Sequence, residues 1–188
     1  MRIISGNHKG KKILLPKDKL TRPLKDLTKE SIFNIIKHSK LLNVEIEKSN
    51  ILDLFSGIGS FGLECLSRGA AYVTFFENYK EVLIILKKNI DNLKQQNYSN
   101  IIEKDIFLKN TLEGLNRKFD IIFMDPPFKE KKLTCLLNII IKLKLLKDNG
   151  IIIIHRHKKE KDIFPNEFNI MIKKSYGISK IIFGDTLG

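Results

Sequence analysis

The chain has 188 residues, 43% of them hydrophobic, enough for one domain with a full core and a short appendage. Its longest purely apolar runs, such as Ile151 to Ile154, are too short to cross a bilayer, and Met1 to Lys9 turns polar before any apolar signal core forms; a cytosolic protein without membrane attachment is expected. The formal net charge of +13 points to a polyanionic partner, although most of the surplus is lysine spread along the chain, as a general composition bias would also produce.

Residues 1–25 hold the one local cluster of charge: Arg2, Lys9, Lys11, Lys12, Lys17, Lys19, Arg22 and Lys25 against Asp18. A basic excess placed before the main domain begins suits a phosphate-binding arm. Residues 2–5 and 11–15 are extended in character around Asn7-His8-Lys9-Gly10, so a short hairpin is expected there. Pro16 and Pro23 break the chain, and Thr28 is the expected cap of a helix with Ile32, Phe33, Ile35 and Ile36 on one face. A polar link from Asn43 to Asn50 divides the chain into an arm, 1–42, and a main domain, 43–188.

From Ile51 onward, strand and helix alternate. Strands are expected at Ile51–Phe55, Tyr72–Phe76, Ser99–Ile102, Phe119–Met124 and Ile151–His155, with helices at Phe61–Arg68, Lys80–Gln96, Phe107–Leu115 and Lys132–Leu146. That alternation implies an α/β, doubly wound, mostly parallel sheet. Phe168–Lys174 and Ile178–Phe183, joined by Ser175-Tyr176-Gly177, read as an antiparallel hairpin that completes seven strands. Cys65 and Cys135 both fall in apolar helical patterns and read as buried thiols.

The first strand runs into Leu52-Asp53-Leu54-Phe55-Ser56-Gly57-Ile58-Gly59-Ser60-Phe61-Gly62. Glycines after a strand allow a sharp turn and close approach to a ligand, and Gly57, Gly59 and Gly62 also match the dinucleotide pattern. Asp53 favours S-adenosylmethionine, because an acid in that turn attracts a cationic amino-acid moiety and repels a pyrophosphate. Glu77 ends the second strand, where it can take ribose hydroxyls; Asp105 follows the third, where it could instead cap the next helix.

The fourth strand, Phe119 to Met124, ends in Asp125-Pro126-Pro127-Phe128. The prolines stiffen the turn and hold the Asp125 carboxylate and the Pro126 carbonyl as two fixed acceptors. Two such acceptors grip an exocyclic amine, and Phe128 is placed to stack on the ring that carries it. The pattern suits methyl transfer to a nucleobase amine. His155-Arg156-His157 has no partner ligands at zinc spacing, so no metal is expected.

These motifs resemble the bacterial 16S rRNA guanine-N2 methyltransferases of the RsmD type over essentially the whole chain. The matching segments are Met1 to Gly6 with Lys9-Gly10-Lys11-Lys12, Thr21-Arg22-Pro23, Lys29 to Ile35, Leu52 to Glu64, Ser67 to Ala70, Phe119 to Phe128, and Tyr176-Gly177. The resemblance implies a Rossmann-like class I methyltransferase fold with a small N-terminal extension. It implies that Asp53, Gly57 and Gly59 hold the methionine end of S-adenosylmethionine, Glu77 its ribose and Asp105 its adenine, with Phe55, Ser56 and Ile106 in the same set. It further implies that Asp125, Pro126, Pro127 and Phe128 hold a flipped guanine, that the Thr21-Arg22-Pro23 region lines the site or the RNA path, and that the partner is 16S rRNA of the small ribosomal subunit or its assembly intermediate. Arg2, Lys9, Lys11, Lys12 and Arg22 of the basic arm are the expected RNA contacts, and a monomer is the default expectation. Lys29 stands where family members more often carry arginine, and Ile178-Ser179 where they carry Asp-Thr. Rival readings are a DNA adenine-N6 methyltransferase, another RNA or protein-amine target, an NAD(P) oxidoreductase, and a non-catalytic nucleotide-binding module.

Overall fold

The structure is a computed structural model that describes residues 1–16 and 24–187. Its strands are β1 (Asn50–Leu54), β2 (Tyr72–Phe76), β3 (Ser99–Ile102), β4 (Phe119–Met124), β5 (Leu146–His157), β6 (Phe168–Tyr176) and β7 (Ser179–Thr186). They form one seven-stranded sheet in the order β3-β2-β1-β4-β5-β7-β6. The first five pair in parallel, and β7 runs antiparallel to both β5 and β6. The doubly wound α/β architecture expected from the alternation is therefore present.

Successive residues of the inner strands alternate between two apolar layers. Ile51, Phe75, Ile121, Phe123, Ile153 and Phe183 fall in one, and Leu52, Leu54, Ile122, Met124, Ile152 and Ile154 in the other. Helices α1 (Asp26–His38), α2 (Ser60–Ser67) and α3 (Lys80–Asn92) cover the first layer, while α4 (Leu133–Lys142) covers the second. Phe33 of α1, Phe61 of α2 and Phe123 of β4 stack in series, with centroid separations of 5.3 and 4.0 Å. Among the described residues no helix is long and apolar enough to cross a membrane.

The N-terminal segment forms a single antiparallel bridge, Arg2 to Lys12, in place of two paired strands. Ile3 and Ile13 enter the first apolar layer, and the backbone is then tied down by α2. Ile4 and Ser5 donate their N–H groups to the two oxygens of Glu64, at 2.8 and 2.9 Å. Lys29, fully buried, donates to the Arg2 carbonyl at 2.9 Å and lies 3.5 Å from the Glu64 carboxylate. Burial lowers the Lys29 pKa, and Glu64 then Asp26 pull it back up. Lysine at this position thus anchors the arm to α2. Gly6 sits at φ +82°, and a Cβ there would lie 1.8 Å from the Ser67 carbonyl oxygen, so only glycine permits this approach.

Several boundaries differ from expectation. Thr28 lies buried inside α1, which starts at Asp26 after Lys25 with no side-chain cap. Phe107 to Leu115 is a run of turns, not a helix: Asn110 takes φ 63°, and Leu108, Thr111 and Leu115 each donate to a carbonyl three residues back. α3 and α4 stop earlier than their apolar periodicity suggests. In both, a lysine (Lys94, Lys144) adopts positive φ and the next residue donates to a carbonyl five back, a Schellman closure built without glycine. Cys65 is buried as expected, but Cys135 is exposed on α4 because it falls on the helix face away from Leu136, Leu137 and Ile140.

Candidate active site

β1 pairs with β2 on one side and β4 on the other, so the chain's connections diverge at its carboxyl end, where open α/β sheets bind ligands. The loop that leaves β1 is held by its own backbone. Ser56 donates N–H to the Phe76 carbonyl at 2.9 Å and its hydroxyl to the Asp53 carbonyl at 2.5 Å. Phe55 takes φ 61°, uncommon for a residue with a side chain and a mark of backbone strain at functional loops. Gly59 (φ +82°) is required twice over, since a Cβ there would lie 2.5 Å from Leu86. Gly57 (φ +55°) faces space in which a Cβ would meet nothing within 4 Å.

Three carboxylates gather around this loop. Asp53 is only 1% exposed; its Oδ2 accepts from the Gly62 N–H at 3.0 Å, while Oδ1 is buried without a partner among the described residues. Burial pushes its carboxyl pKa well above the usual range; the Gly62 bond opposes this, and Asp125 and Glu77 reinforce it. Glu77 Oε2 accepts from the Gly57 N–H at 2.8 Å and Oε1 from Asn78 and Tyr79. Asp105 Oδ1 accepts from Phe107 N–H at 2.9 Å and so shapes its own turn; the adjoining Ile106 is buried, and the Phe107 ring lies 5.9 Å from that of Phe55. Phe107 was not singled out from the sequence.

The Asp53 geometry carries a stability consequence. Its folded pKa lies above its unfolded value, so its contribution is full below about pH 4 and is lost as pH rises through the folded pKa. Asp53→Asn should therefore unfold at higher denaturant than wild type near neutral pH, with the gap closing near pH 4. Equal midpoints at both pH values would show that the buried charge costs nothing.

On the other side of β1, the Met124–Ile154 pairing of β4 with β5 sets Asp125 beside His155. His155 Nδ1 lies 2.8 Å from Asp125 Oδ1, leaving Oδ2 without a partner among the described residues. The Pro126 carbonyl likewise accepts no bond there, whereas Pro127 O is taken by Glu130 N–H (2.8 Å) and by Arg156 Nη1 (3.0 Å). Arg156, fully buried, also donates to the Glu130 carbonyl and to Asp162 Oδ1, and Lys180 closes the network 2.9 Å from Asp162 Oδ2. Phe128 sits edge-on to His155 and His157, at 6.0 and 5.1 Å between centroids.

His155 and Arg156 touch the Asp125–Phe128 turn, and the sequence reading did not single them out for the site. Their signal was their position at the carboxyl end of the strand next to β4. Among the described residues no three His, Cys, Asp or Glu side chains gather as a metal site. Arg2, Lys9, Lys11 and Lys12 are all exposed on the N-terminal turn, while Thr21, Arg22 and Pro23 lie outside the described residues.

The family model described as conserved hypothetical protein 95 matches residues 1–185. Ribosomal RNA small subunit methyltransferase D of Buchnera aphidicola (from Acyrthosiphon pisum) is 36% identical over 92% of this chain and 86% of its own. The Haemophilus influenzae protein of the same name is 32% identical over 95% and 90%. A solved Escherichia coli structure, provisionally named a methyltransferase, has a TM-score of 0.81 at 26% identity over 99% of this chain and 97% of its own. A Haemophilus influenzae structure, provisionally named a methylase, has a TM-score of 0.78 at 31% identity over 100% and 98%. With the whole chain aligned and the strand-end acids and turn in place, this protein belongs to the ribosomal RNA small subunit methyltransferase D family.

Proposed function

We propose that this protein methylates the exocyclic N2 amine of a guanine in small-subunit ribosomal RNA, using S-adenosylmethionine. The observation that carries the reading is a pair of acceptors, Asp125 Oδ2 and the Pro126 carbonyl, that take no bond from the described residues, beside the Phe128 ring at the switch point of the sheet.

Two features fit the cofactor. Asp53 Oδ1 is buried and unpartnered among carboxylates, a setting that attracts positive charge and repels a diphosphate. Gly57 leaves open space over the loop. Asp53 with Phe55, Ser56, Gly57 and Gly59 would hold the amino-acid end, Glu77 the ribose, and Asp105 with Ile106 the adenine. When bound, the cofactor would supply an electrophilic methyl group carried on a sulfonium. Asp53→Asn should weaken its binding by more than tenfold while the fold persists.

The chain's own groups prepare the nucleophile. A guanine amine is a weak one because its lone pair is delocalised into the ring. Asp125 Oδ2 and the Pro126 carbonyl each accept one of its N–H groups, which draws nitrogen toward a tetrahedral shape and aims its lone pair. Asp125 Oδ2 receives the proton that nitrogen loses. Phe128 stacks on the base, worth on the order of 1–3 kcal/mol. The base must be unpaired or flipped, since N2 is engaged in a guanine pair. Most of the acceleration then comes from positioning and from electrostatic support of charge on nitrogen.

The test offers radiolabelled methyl-S-adenosylmethionine with small subunits lacking the modification, naked rRNA, and unmethylated DNA. N2-methylguanosine in subunits or their rRNA is expected. Label in DNA N6-methyladenine would replace this reading. Exchanging Lys9, Lys11 and Lys12 together for glutamine should flatten the salt dependence of RNA binding by about 2 to 3 units of log–log slope. An unchanged slope would remove the arm from the RNA path.

A further inference from the structure

We propose that His155 is a positioning residue of the amine site: its Nδ1–H holds one Asp125 oxygen so that the other is fixed toward the reacting amine. The inference rests on the amine-methylating reading above and adds a residue that motif matching did not supply.

Four observations converge on it. His155 follows Ile154, which pairs with Met124, so the parallel register alone brings it beside Asp125. Its Nδ1 lies 2.8 Å from Asp125 Oδ1, with the two side chains only 10% and 20% exposed. Its Nε2 is buried with no hydrogen-bond partner among the described residues, where the ring's one side-chain bond goes to Asp125. The backbone is pinned from the far side as well, since His155 pairs with Ile181 of β7. A side chain mounted inside a sheet and bonded on both sides holds its aim better than one on a loop.

The chemistry explains why such a prop is needed. The terminal torsion of an aspartate is broad and roughly two-fold, so a lone carboxylate does not fix where either oxygen points. An ionised carboxylate only accepts, so Nδ1 carries the proton in this pair. The neutral tautomer then leaves Nε2 as a bare acceptor, cheaper to bury than an unpartnered N–H. With Oδ1 occupied, Oδ2 is the single oxygen left to accept the amine N–H and to receive the proton that nitrogen loses. The His155 and Phe128 rings meet at a steep angle with their centroids 6.0 Å apart, so one side chain borders both the acceptor and the stacking ring.

The experiment compares His155→Phe, His155→Gln and His155→Asn. Phenylalanine keeps the ring without a donor, glutamine carries its amide past the Nδ1 position, and asparagine places an amide N–H close to it. Methyl transfer to small subunits is measured by single turnover, S-adenosylmethionine binding by calorimetry, and folding by thermal melting. His155→Phe and His155→Gln should lose roughly 10- to 100-fold in the transfer rate, as loss of a ligand's outer partner typically does, with cofactor Kd and substrate KM within about threefold of wild type. His155→Asn should recover most of the loss. Transfer within about twofold of wild type in the folded phenylalanine or glutamine variant overturns the proposal, as does an asparagine variant no faster than glutamine. A wild-type protein that methylates no guanine overturns the parent reading, and this inference with it.

Discussion

Replacing Asp125 with alanine should cut methyl transfer by roughly 10³-fold while leaving S-adenosylmethionine affinity within about threefold of wild type. Asp125 Oδ2 is the acceptor that would orient the amine and take its proton, and no neighbouring carboxylate can replace it. Asp53 is buried with one oxygen on Gly62, and Glu77 is bonded to Gly57, Asn78 and Tyr79. The substitution leaves the Phe55–Gly59 loop intact, so binding and transfer should separate cleanly. Single-turnover kinetics beside calorimetry reads both quantities. Turnover surviving within about tenfold would show that Asp125 does not hold the amine.

Glu64→Ala should lower stability by about 3–5 kcal/mol, because it takes the nearer carboxylate from the fully buried Lys29, leaving Asp26 at 3.8 Å, and removes the acceptor of two backbone N–H groups at once. The loss should fall on the arm first. Residues 1–16 would come away from α2, taking Arg2, Lys9, Lys11 and Lys12 out of register with the site. RNA affinity should therefore drop together with stability, although Glu64 faces no ligand. Denaturant unfolding and hydrogen exchange at Ile4 and Ser5 measure the two parts. Pairing the change with Lys29→Met should recover part of the stability, since no ammonium remains buried without its nearer carboxylate, but not the two N–H bonds. If the single variant unfolds at the wild-type midpoint, the latch carries no energy and the apolar contacts of Ile3 and Ile13 suffice.

That latch was invisible in the sequence, where Lys29 stood out only as a departure from arginine. Its partners are the carbonyl of Arg2 and a carboxylate of α2, and no local pattern signals a contact between residues 60 apart, such as Ile4 and Glu64. The same holds at the site. Asp125 to Phe128 announced themselves because prolines, an acid and an aromatic at a strand end constrain local geometry. His155, 30 residues further on, looked like part of a histidine cluster until the register of β4 and β5 set it against Asp125. The Phe107–Leu115 helix was wrong for a related reason. Of its apolar residues only Leu112 is buried beneath the turns while Leu108 is exposed, and apolar content alone does not reveal that Asn110 turns left-handed.

By itself, the sequence determined the sheet, its two covered faces, and the row of acids at its carboxyl edge. Burial imposes a period of two on strands and about 3.6 on helices, and that period is written in the order of residues. Only the tertiary structure decided which atoms of that edge remain free: His155 takes one oxygen of Asp125, Arg156 takes the carbonyl of Pro127, and the second oxygen of Asp125 and the carbonyl of Pro126 are left over. Hydrogen bonds saturate donors and acceptors in three dimensions, so what stays available to a substrate depends on neighbours that the chain supplies from far away.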